Sequence, residues 1–189
     1  MENNTKLIIV IAFFGLAIFS NVLSSSYISH LYENDEEHLD IVLDSIDGNY
    51  TWAMKLAEII ILMSILIFIT YSKKSKQEVI KIIFVIACFN LIRGILIPLT
   101  LLNPINSNSF FHSFTSFAYG LFPSGHISIT FLFFLFTPKK SKLWFFYLIV
   151  TIVVGFLILL GKQHYTIDII SSIFIMYSIK CFTERNLLK

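Results

Sequence analysis

The chain has 189 residues, of which 56% are hydrophobic and only 14% are charged. Soluble domains carry about 25% charged residues, so this composition excludes a soluble globular protein and indicates an integral membrane protein. The length suits a single membrane domain covering residues 1–189, and the net charge of +2 gives no indication of a nucleic-acid partner.

Six apolar segments are interpreted as membrane spans, which require about 20 mostly apolar residues, although the fourth is shorter than that. Runs of this length favour helices over barrel strands. The first could also be a signal peptide, but its basic flank is only Lys6, which favours a span. The sequence therefore predicts an all-α fold of six transmembrane helices. Their approximate ranges are 7–23, 52–71, 79–102, 124–138, 143–160 and 164–182.

An acidic segment separates the first two predicted spans. Within it Leu39, Val42, Leu43 and Ile46 follow the i, i+3, i+4, i+7 spacing of one helical face. This pattern predicts a short amphipathic helix on the outer membrane surface, at about residues 36–47. Its acidic side chains are interpreted as a solvated face, with cation binding as the alternative.

The positions of Lys and Arg predict the orientation of the spans, because these residues mark the cytoplasmic side. They cluster between spans two and three, between spans four and five, and at the C-terminus. Residues 7–54 and 94–138 contain none. Alternate loops are therefore basic, which places both termini in the cytoplasm and the loops 24–51 and 103–125 outside.

Arg93, in the stretch NLIRGILIPLT, lies nine residues before the end of its predicted span. That places it about 13 Å below the outer boundary. An ionisable side chain at such a depth is costly and usually functional. Two interpretations remain open: Arg93 bonds a backbone carbonyl at a kink near Pro98, or it clamps an anion such as phosphate.

The stretch FPSGHIS is predicted to start the fourth span. Pro123 and Gly125 interrupt the preceding structure, Ser124 is a good N-cap, and a helix begins at about His126. Backbone N–H groups at a helix start attract anions. Only 12 residues separate His126 from the next proline, about 18 Å of helix. That is too short to span from the outer surface, so either the helix starts earlier or His126 is recessed in the outer leaflet, where a site would suit the headgroup linkage of a lipid.

The stretch GKQHYTIDII, residues 161–170, places His164 and Asp168 four residues apart between apolar runs. On a helix these two side chains share a face. A carboxylate beside an imidazole fixes its tautomer and raises its basicity, as a nucleophilic or general-base His requires. Lys162 and Tyr165 flank the His and are candidates for substrate contact.

The predicted topology brings Arg93, His126 and His164 to the same side of the membrane. Two His, one Asp and one Arg could supply the nucleophile, its orienting group, the general acid and the charge clamp of a phosphoryl transfer. The same His and Asp side chains could instead hold a metal ion or relay protons in a transporter. No further carboxylate or Cys is placed beside them, so no metal or cofactor is predicted.

SGH at residues 124–126, followed by HYTID at residues 164–168, resembles the sphingomyelin synthase-like branch of the type 2 phosphatidic acid phosphatase superfamily. The resemblance covers roughly residues 90–183, including the stretches RGILIPLT and KKSKLWFFY, and HYTID is its most specific part. It implies the six-helix membrane bundle of this superfamily and chemistry without a metal.

The resemblance also implies residue roles. His164 would attack the phosphorus of a phospholipid donor and form a phosphohistidine, Asp168 would orient it, and His126 would protonate the departing lipid alkoxide. A lipid alcohol or water would then accept the phosphoryl group. The predicted substrate-binding residues are Arg93, Ser124, Gly125, Lys162 and Tyr165.

Two features of the sequence bear on whether the phosphoryl group is transferred to a lipid or to water. The phosphatase branch carries a Ser–Arg pair ahead of its last His, and here those positions are Leu157 and Ile158, although Pro123 before SGH is phosphatase-like. We therefore expect transfer to another lipid, with lipid phosphate hydrolysis as the alternative and a non-catalytic lipid transporter or scaffold less favoured. The Lys-, Ile-, Phe- and Asn-rich composition resembles that of an AT-rich bacterium. We therefore expect a bacterial plasma or inner membrane location, with the site on the periplasmic or extracellular face.

Overall fold

The computed structural model describes residues 3–31, 40–48, 50–71, 74–100 and 122–186. All regular secondary structure in these ranges is α-helical, which confirms the predicted all-α class. The helices are α1 (Asn3–Leu31), α2 (Ile41–Asp44), α3 (Thr51–Tyr71), α4 (Lys76–Thr100), α5 (Gly125–Phe136), α6 (Lys142–Leu160) and α7 (Thr166–Asn186).

Five of these helices, α1, α3, α4, α6 and α7, are long and apolar enough to cross a membrane. Many of their large apolar side chains are exposed, as lipid-facing surfaces require. The prediction of an integral membrane protein is confirmed at this level. That all six predicted segments cross the bilayer, and that both termini are cytoplasmic, stay predictions.

Helix α5 is shorter than α1, α3, α4, α6 and α7 because its sequence stops it at both ends. Ser124 caps its start by accepting the Ile127 N–H at 3.5 Å, and Pro138 follows closely after its end. Its 12 residues span about 18 Å, against a hydrocarbon core of about 30 Å. Lys74, from the connection before α4, donates to the carbonyl of Phe136 at the other end of α5. The start of α5 therefore lies well away from this lysine.

Two apolar clusters hold α5 against its neighbours. Toward its C-terminal end, Phe133 stacks on Phe68 of α3 with ring centroids 4.4 Å apart. Near its start, Ile127 packs with Ala57 of α3 and Val154 of α6. Small and β-branched side chains at the second contact let these helices approach closely. The start of α5 is therefore held by packing as well as by its cap.

Helix α1 packs along α4 through small and polar residues. Gly94 lies against the backbone of Ser20, where any larger side chain would collide. The Ser24 hydroxyl donates to the Gly94 carbonyl at 2.5 Å, and the side chain of Asn21 donates to that of Asn90 at 2.9 Å. Interhelical hydrogen bonds of this kind join helices in lipid, where apolar surface alone gives little selectivity.

The predicted amphipathic segment, about residues 36–47, is described only from Asp40 onward. It contains one short helix, α2, whose N-cap Asp40 accepts the N–H groups of Val42 and Leu43 at 3.1 Å. Leu43 is buried, whereas Ile41 is 90% exposed. Residues 36–39 of the predicted helix lie outside the described residues.

Candidate active site

A tight turn at the end of α6 sets the position of His164. The N–H of Lys162 donates to the Leu159 carbonyl and the N–H of Gln163 donates to the Ile158 carbonyl, both at 2.9 Å. Lys162 adopts a left-handed conformation, with φ of 48°. This is the Schellman pattern, in which the left-handed position is usually Gly. The sequence supplies a lysine there instead, and the chain leaves the turn directly into His164.

His164 lies before the last helix, which corrects the predicted range 164–182 and the expectation that His164 and Asp168 share a helical face. Helix α7 begins at Thr166, so the pair forms across the start of the helix. Nδ1 of His164 lies 3.2 Å from Oδ2 of Asp168, and both side chains are buried. Asp168 also accepts the Tyr165 N–H at 3.0 Å, which satisfies a donor that the first helical turn leaves open.

A second carboxylate caps the same helix from a distant part of the chain. Asp40 accepts the Thr166 N–H at 2.6 Å and the Thr166 hydroxyl at 2.9 Å, across a separation of 126 residues. Negative charge is favourable at a helix N-terminus because the helix dipole is positive there. The outer segment that carries Asp40 therefore fixes the start of α7, and with it the turn that presents His164.

The pKa of Asp40 reflects this role. Partial burial by itself would raise it, but hydrogen bonds from Thr166, Leu43 and Val42 outweigh burial and lower the pKa below its ordinary value of 3.8. Because the folded pKa lies below the unfolded one, the stabilisation is complete above pH 3.8 and is lost as the pH falls through the folded value.

Asp40→Asn is expected to lower the melting temperature by about 2–4 °C at neutral pH, because it removes the negative charge at the start of α7 and replaces one of two accepting oxygens with an N–H, a loss of about 1 kcal/mol. The difference from wild type should shrink as the pH falls below 3.8 and through the lower pKa that Asp40 has in the folded protein. Thermal unfolding of the purified protein across this pH range would measure it. Asp47→Asn, an exposed acid in the same segment, should have no effect. A difference that does not change with pH would contradict the capping role.

The start of α5 is tied to α7 by main-chain and side-chain hydrogen bonds. The Ser124 N–H donates to the Asp168 carbonyl at 3.2 Å. The Ser172 hydroxyl lies between the two elements, 3.0 Å from the Ser124 carbonyl and 2.5 Å from the Asp168 carbonyl. Ser124 and Asp168 are completely buried. These contacts fix the register of the SGH turn against the HYTID turn.

The two imidazoles of the site are in contact as a result. Nδ1 of His126 lies 3.4 Å from Nε2 of His164, and their ring planes are inclined at 70°. His126 is only partly buried, whereas His164 is 3% exposed. Asp168, His164 and His126 therefore form a chain of polar contacts that runs from the buried start of α7 toward a more accessible position.

Arg93 reaches the same place from α4. Its guanidinium lies so close to Gly125 that a Cβ at this position would be 3.1 Å from Nη1. Arg93 also interacts electrostatically with Asp168. A guanidinium beside the N-terminus of a helix is an arrangement that suits phosphate. Gly125 is therefore the residue that allows the guanidinium to approach the start of α5.

Gly125→Ala is expected to reduce the activity of the site with little change in stability. The added Cβ would displace the flexible end of Arg93 by a few tenths of an ångström, and misplacing a binding group can cost about tenfold or more. The measurement is kcat/KM together with the melting temperature. Gly155→Ala is the matched control, because its Cβ meets only Ile127 at 3.4 Å and Ile169 at 3.9 Å. Equal activity in the two variants would contradict the positioning of Arg93.

The two other predicted substrate-binding residues flank His164 but differ in surroundings. Tyr165 is buried and packs with Leu43 and Leu159. Burial, and then the nearby carboxylates led by Asp168, raise the pKa of Tyr165, so it stays a neutral phenol. Lys162 is partly exposed. Contact of either side chain with substrate stays a prediction.

Three residues escaped the sequence analysis: Asp40, which caps α7, and the buried Gln163 and Glu58. Asp40 gave no local signal, because its partner lies 126 residues away. Gln163 is buried with its Oε1 lacking a hydrogen-bond partner among the described residues. Glu58 is 3% exposed within α3. An acid inside an apolar segment is a detectable signal at membrane depth, so Glu58 could have been singled out.

The described ranges contain no group of three or more His, Cys, Asp or Glu arranged to hold a metal ion. The polar groups of the site are instead two imidazoles in contact, one carboxylate and one guanidinium. Such a set can take up, orient and neutralise a phosphoryl group.

Comparison with known proteins gives a match to a family model over part of the chain. No curated protein matches the chain. Residues 121–185 match the family model described as PAP2 superfamily C-terminal, a segment that contains His126, His164 and Asp168 but not Arg93. This match supports a relationship to the type 2 phosphatidic acid phosphatase superfamily and, with the apolar helices, an integral membrane protein with a lipid phosphatase or phosphotransferase type of activity.

Proposed function

We propose that this chain is a membrane lipid phosphotransferase, sphingomyelin synthase-like, which moves a phosphorylated headgroup from one lipid to another through a phosphohistidine at His164. The observation that carries the proposal is the contact chain from Asp168 through His164 to His126, with steps of 3.2 and 3.4 Å. Arg93 stands beside it at the start of α5. We further propose that residues 1–189 form one membrane domain, since the site takes groups from both sides of residue 121.

The proton positions follow from the hydrogen-bond partners. An ionised Asp168 carboxylate has no proton to donate and can act only as a hydrogen-bond acceptor. Nδ1 of His164 therefore carries the proton, and Nε2 keeps its lone pair. His126 then donates its Nδ1 proton toward that lone pair. His164 is thereby prepared as a nucleophile and His126 as an acid.

In the first step, Nε2 of His164 attacks the phosphorus and the bond from phosphorus to the lipid oxygen breaks. Arg93 and the N–H groups at the start of α5 neutralise charge on the non-bridging oxygens. His126 gives its proton to the departing alkoxide. Because the imidazoles are only 3.4 Å apart, the His126 ring has to move aside as phosphorus approaches Nε2.

In the second step, the hydroxyl of an acceptor attacks the phosphorus, His126 takes its proton, and the phosphorus–nitrogen bond breaks. Asp168 stabilises the imidazolium character of His164 throughout. The acceptor is a lipid alcohol in the leading proposal. With water as the acceptor, the same groups would catalyse lipid phosphate hydrolysis, and the match to a phosphatase superfamily favours this second candidate.

The position of the site in α5 suits a lipid donor on the outer face of the membrane. Lys74 meets the opposite end of α5, near the basic cluster that starts at Lys139. Basic connections mark the cytoplasmic side, so the end of α5 that carries His126 would face outward. We propose a bacterial plasma or inner membrane with the site on its periplasmic or extracellular face.

The purified protein in lipid vesicles would test the function. A phospholipid donor would be supplied alone, with diacylglycerol, or with ceramide, and free phosphate, free phosphorylated headgroup and new lipid would be measured in parallel. Transfer predicts a new lipid only when an acceptor is present. Release of phosphate or of headgroup without an acceptor would indicate hydrolysis, and no product from any donor would favour a non-catalytic transporter or scaffold.

A further inference from the structure

A cavity of about 320 Å³ lies between α1 and α4 on one side and α5 and α7 on the other. Arg93 and Gly125 line it, so it adjoins the candidate active site. Much of its remaining wall is apolar, with Phe14, Phe89 and Leu132 among the residues. Its volume is at the lower end of ligand pockets, about 300–1,000 Å³, which suits part of a lipid rather than a whole one.

Two asparagines place a polar group in this apolar wall. Asn90 donates its amide N–H to the Ile86 carbonyl at 2.9 Å, and Asn21 donates to Oδ1 of Asn90 at 2.9 Å. Because the Ile86 carbonyl can only accept, it fixes the orientation of the Asn90 amide, which in turn fixes that of Asn21. The group left over is therefore the acceptor Oδ1 of Asn21.

This acceptor is buried and has no hydrogen-bond partner among the described residues. Asn21 itself is 3% exposed and lines the cavity. A buried acceptor without a partner is costly, and a ligand that supplies an O–H or N–H group would remove that cost. Ester and ether oxygens cannot do so, because they only accept.

The depth of Asn21 indicates which part of a lipid it would meet. Its partner Asn90 precedes Arg93 by three residues on α4, about 4.5 Å along the helix axis. If Arg93 binds the phosphate, the asparagine pair lies about 4.5 Å deeper along α4. At that depth it would meet the backbone of the lipid. The acyl chains would continue into the apolar remainder of the cavity.

We propose that this cavity binds the backbone of the lipid substrate and that Asn21 accepts a hydrogen bond from a hydroxyl or amide N–H close to the phosphorylated carbon. The preferred lipid phosphates are then those with a donor in the backbone, rather than diacyl glycerolipids. The proposal rests on the proposed function for the identity of the site, and it makes Asn21 a specificity-determining residue.

The asparagines could alternatively serve only to join α1 to α4, and Ser24 provides the matched control. Its hydroxyl joins the same helices through the Gly94 carbonyl, but it does not line the cavity. Asn21→Leu and Ser24→Ala would each be combined with His164→Ala, so that binding is measured without turnover. Affinity for ceramide 1-phosphate, which has backbone donors, would be compared with affinity for diacyl phosphatidic acid, which has none.

We expect Asn21→Leu to reduce the ceramide 1-phosphate to phosphatidic acid affinity ratio about five- to tenfold, the effect of one neutral hydrogen bond, and Ser24→Ala to leave it unchanged. An unchanged ratio in Asn21→Leu would overturn the proposal. If that variant does not fold, the protein with native Asn21 can be tested with ceramide 1-phosphate methylated at its hydroxyl and amide, which should bind about fivefold more weakly. Equal binding would overturn the proposal. These affinities test the binding proposal even if the protein turns over no lipid. A lack of turnover would count only against the proposed function.

Discussion

His164→Ala is expected to abolish turnover, with a loss of at least about 10⁴-fold, while the protein stays folded in the membrane. The loss is large because the proposed route passes through a bond from phosphorus to Nε2 of His164, which alanine cannot form. The fold should survive because Asp168 still accepts the Tyr165 N–H after the substitution. Rapid quenching with a radiolabelled donor would label the wild type with an acid-labile group and leave the variant unlabelled.

The control for this variant is Ser171→Ala. Ser171 donates to the Asp168 carbonyl at 3.1 Å, so its removal perturbs the same turn of α7 without touching an imidazole. Its turnover should stay close to that of the wild type. Turnover by His164→Ala within about tenfold of the wild type would rule out His164 as the nucleophile.

Asp168→Asn is expected to lower kcat by about 10³–10⁴-fold with little change in KM. An asparagine can offer an N–H toward Nδ1 of His164, which favours the tautomer with its proton on Nε2 and removes the attacking lone pair. Arg93 and Gly125, the proposed substrate-binding groups, are unchanged in this variant, so binding should persist. Steady-state kinetics with a defined lipid donor would separate the two constants.

Asp40→Asn is the matched comparison for this effect. Both acids cap the start of α7, but only Asp168 contacts His164. Asp40→Asn should therefore lose stability with a much smaller loss of kcat. If the two variants lost stability and turnover in the same proportion, Asp168 would be a helix cap and nothing more.

The local parts of this arrangement could be predicted from the sequence. Apolar length identifies the spanning helices, and Ser124 before Gly125 marks the start of α5 through ordinary capping preferences. The four-residue spacing of His164 and Asp168 predicts their contact. The assumption that both residues lie on one face of a helix is wrong. The turn at Lys162 follows the end of α6, and α7 starts only at Thr166. The catalytic roles of these residues stay predictions.

The long-range parts could not be predicted. Asp40 lies in a segment with several acids, and its contact with Thr166 depends on how parts of the chain 126 residues apart pack together. Asn21 and Asn90 are 69 residues apart, and each by itself is an ordinary polar residue in an apolar helix. Such pairs depend on how the helices pack, and no local periodicity encodes that packing.

The cap on α7 also has a consequence for the order of synthesis. Thr166 emerges from the ribosome 126 residues after its acceptor Asp40. When α7 is inserted, the segment that carries Asp40 has therefore already been synthesised, and Asp40 serves as the docking point for the start of α7. A C-terminal fragment limited to residues 121–185 would keep both imidazoles and Asp168, yet it would lack this docking point and Arg93. Coexpression with a fragment that carries residues 1–100 would be needed to restore both.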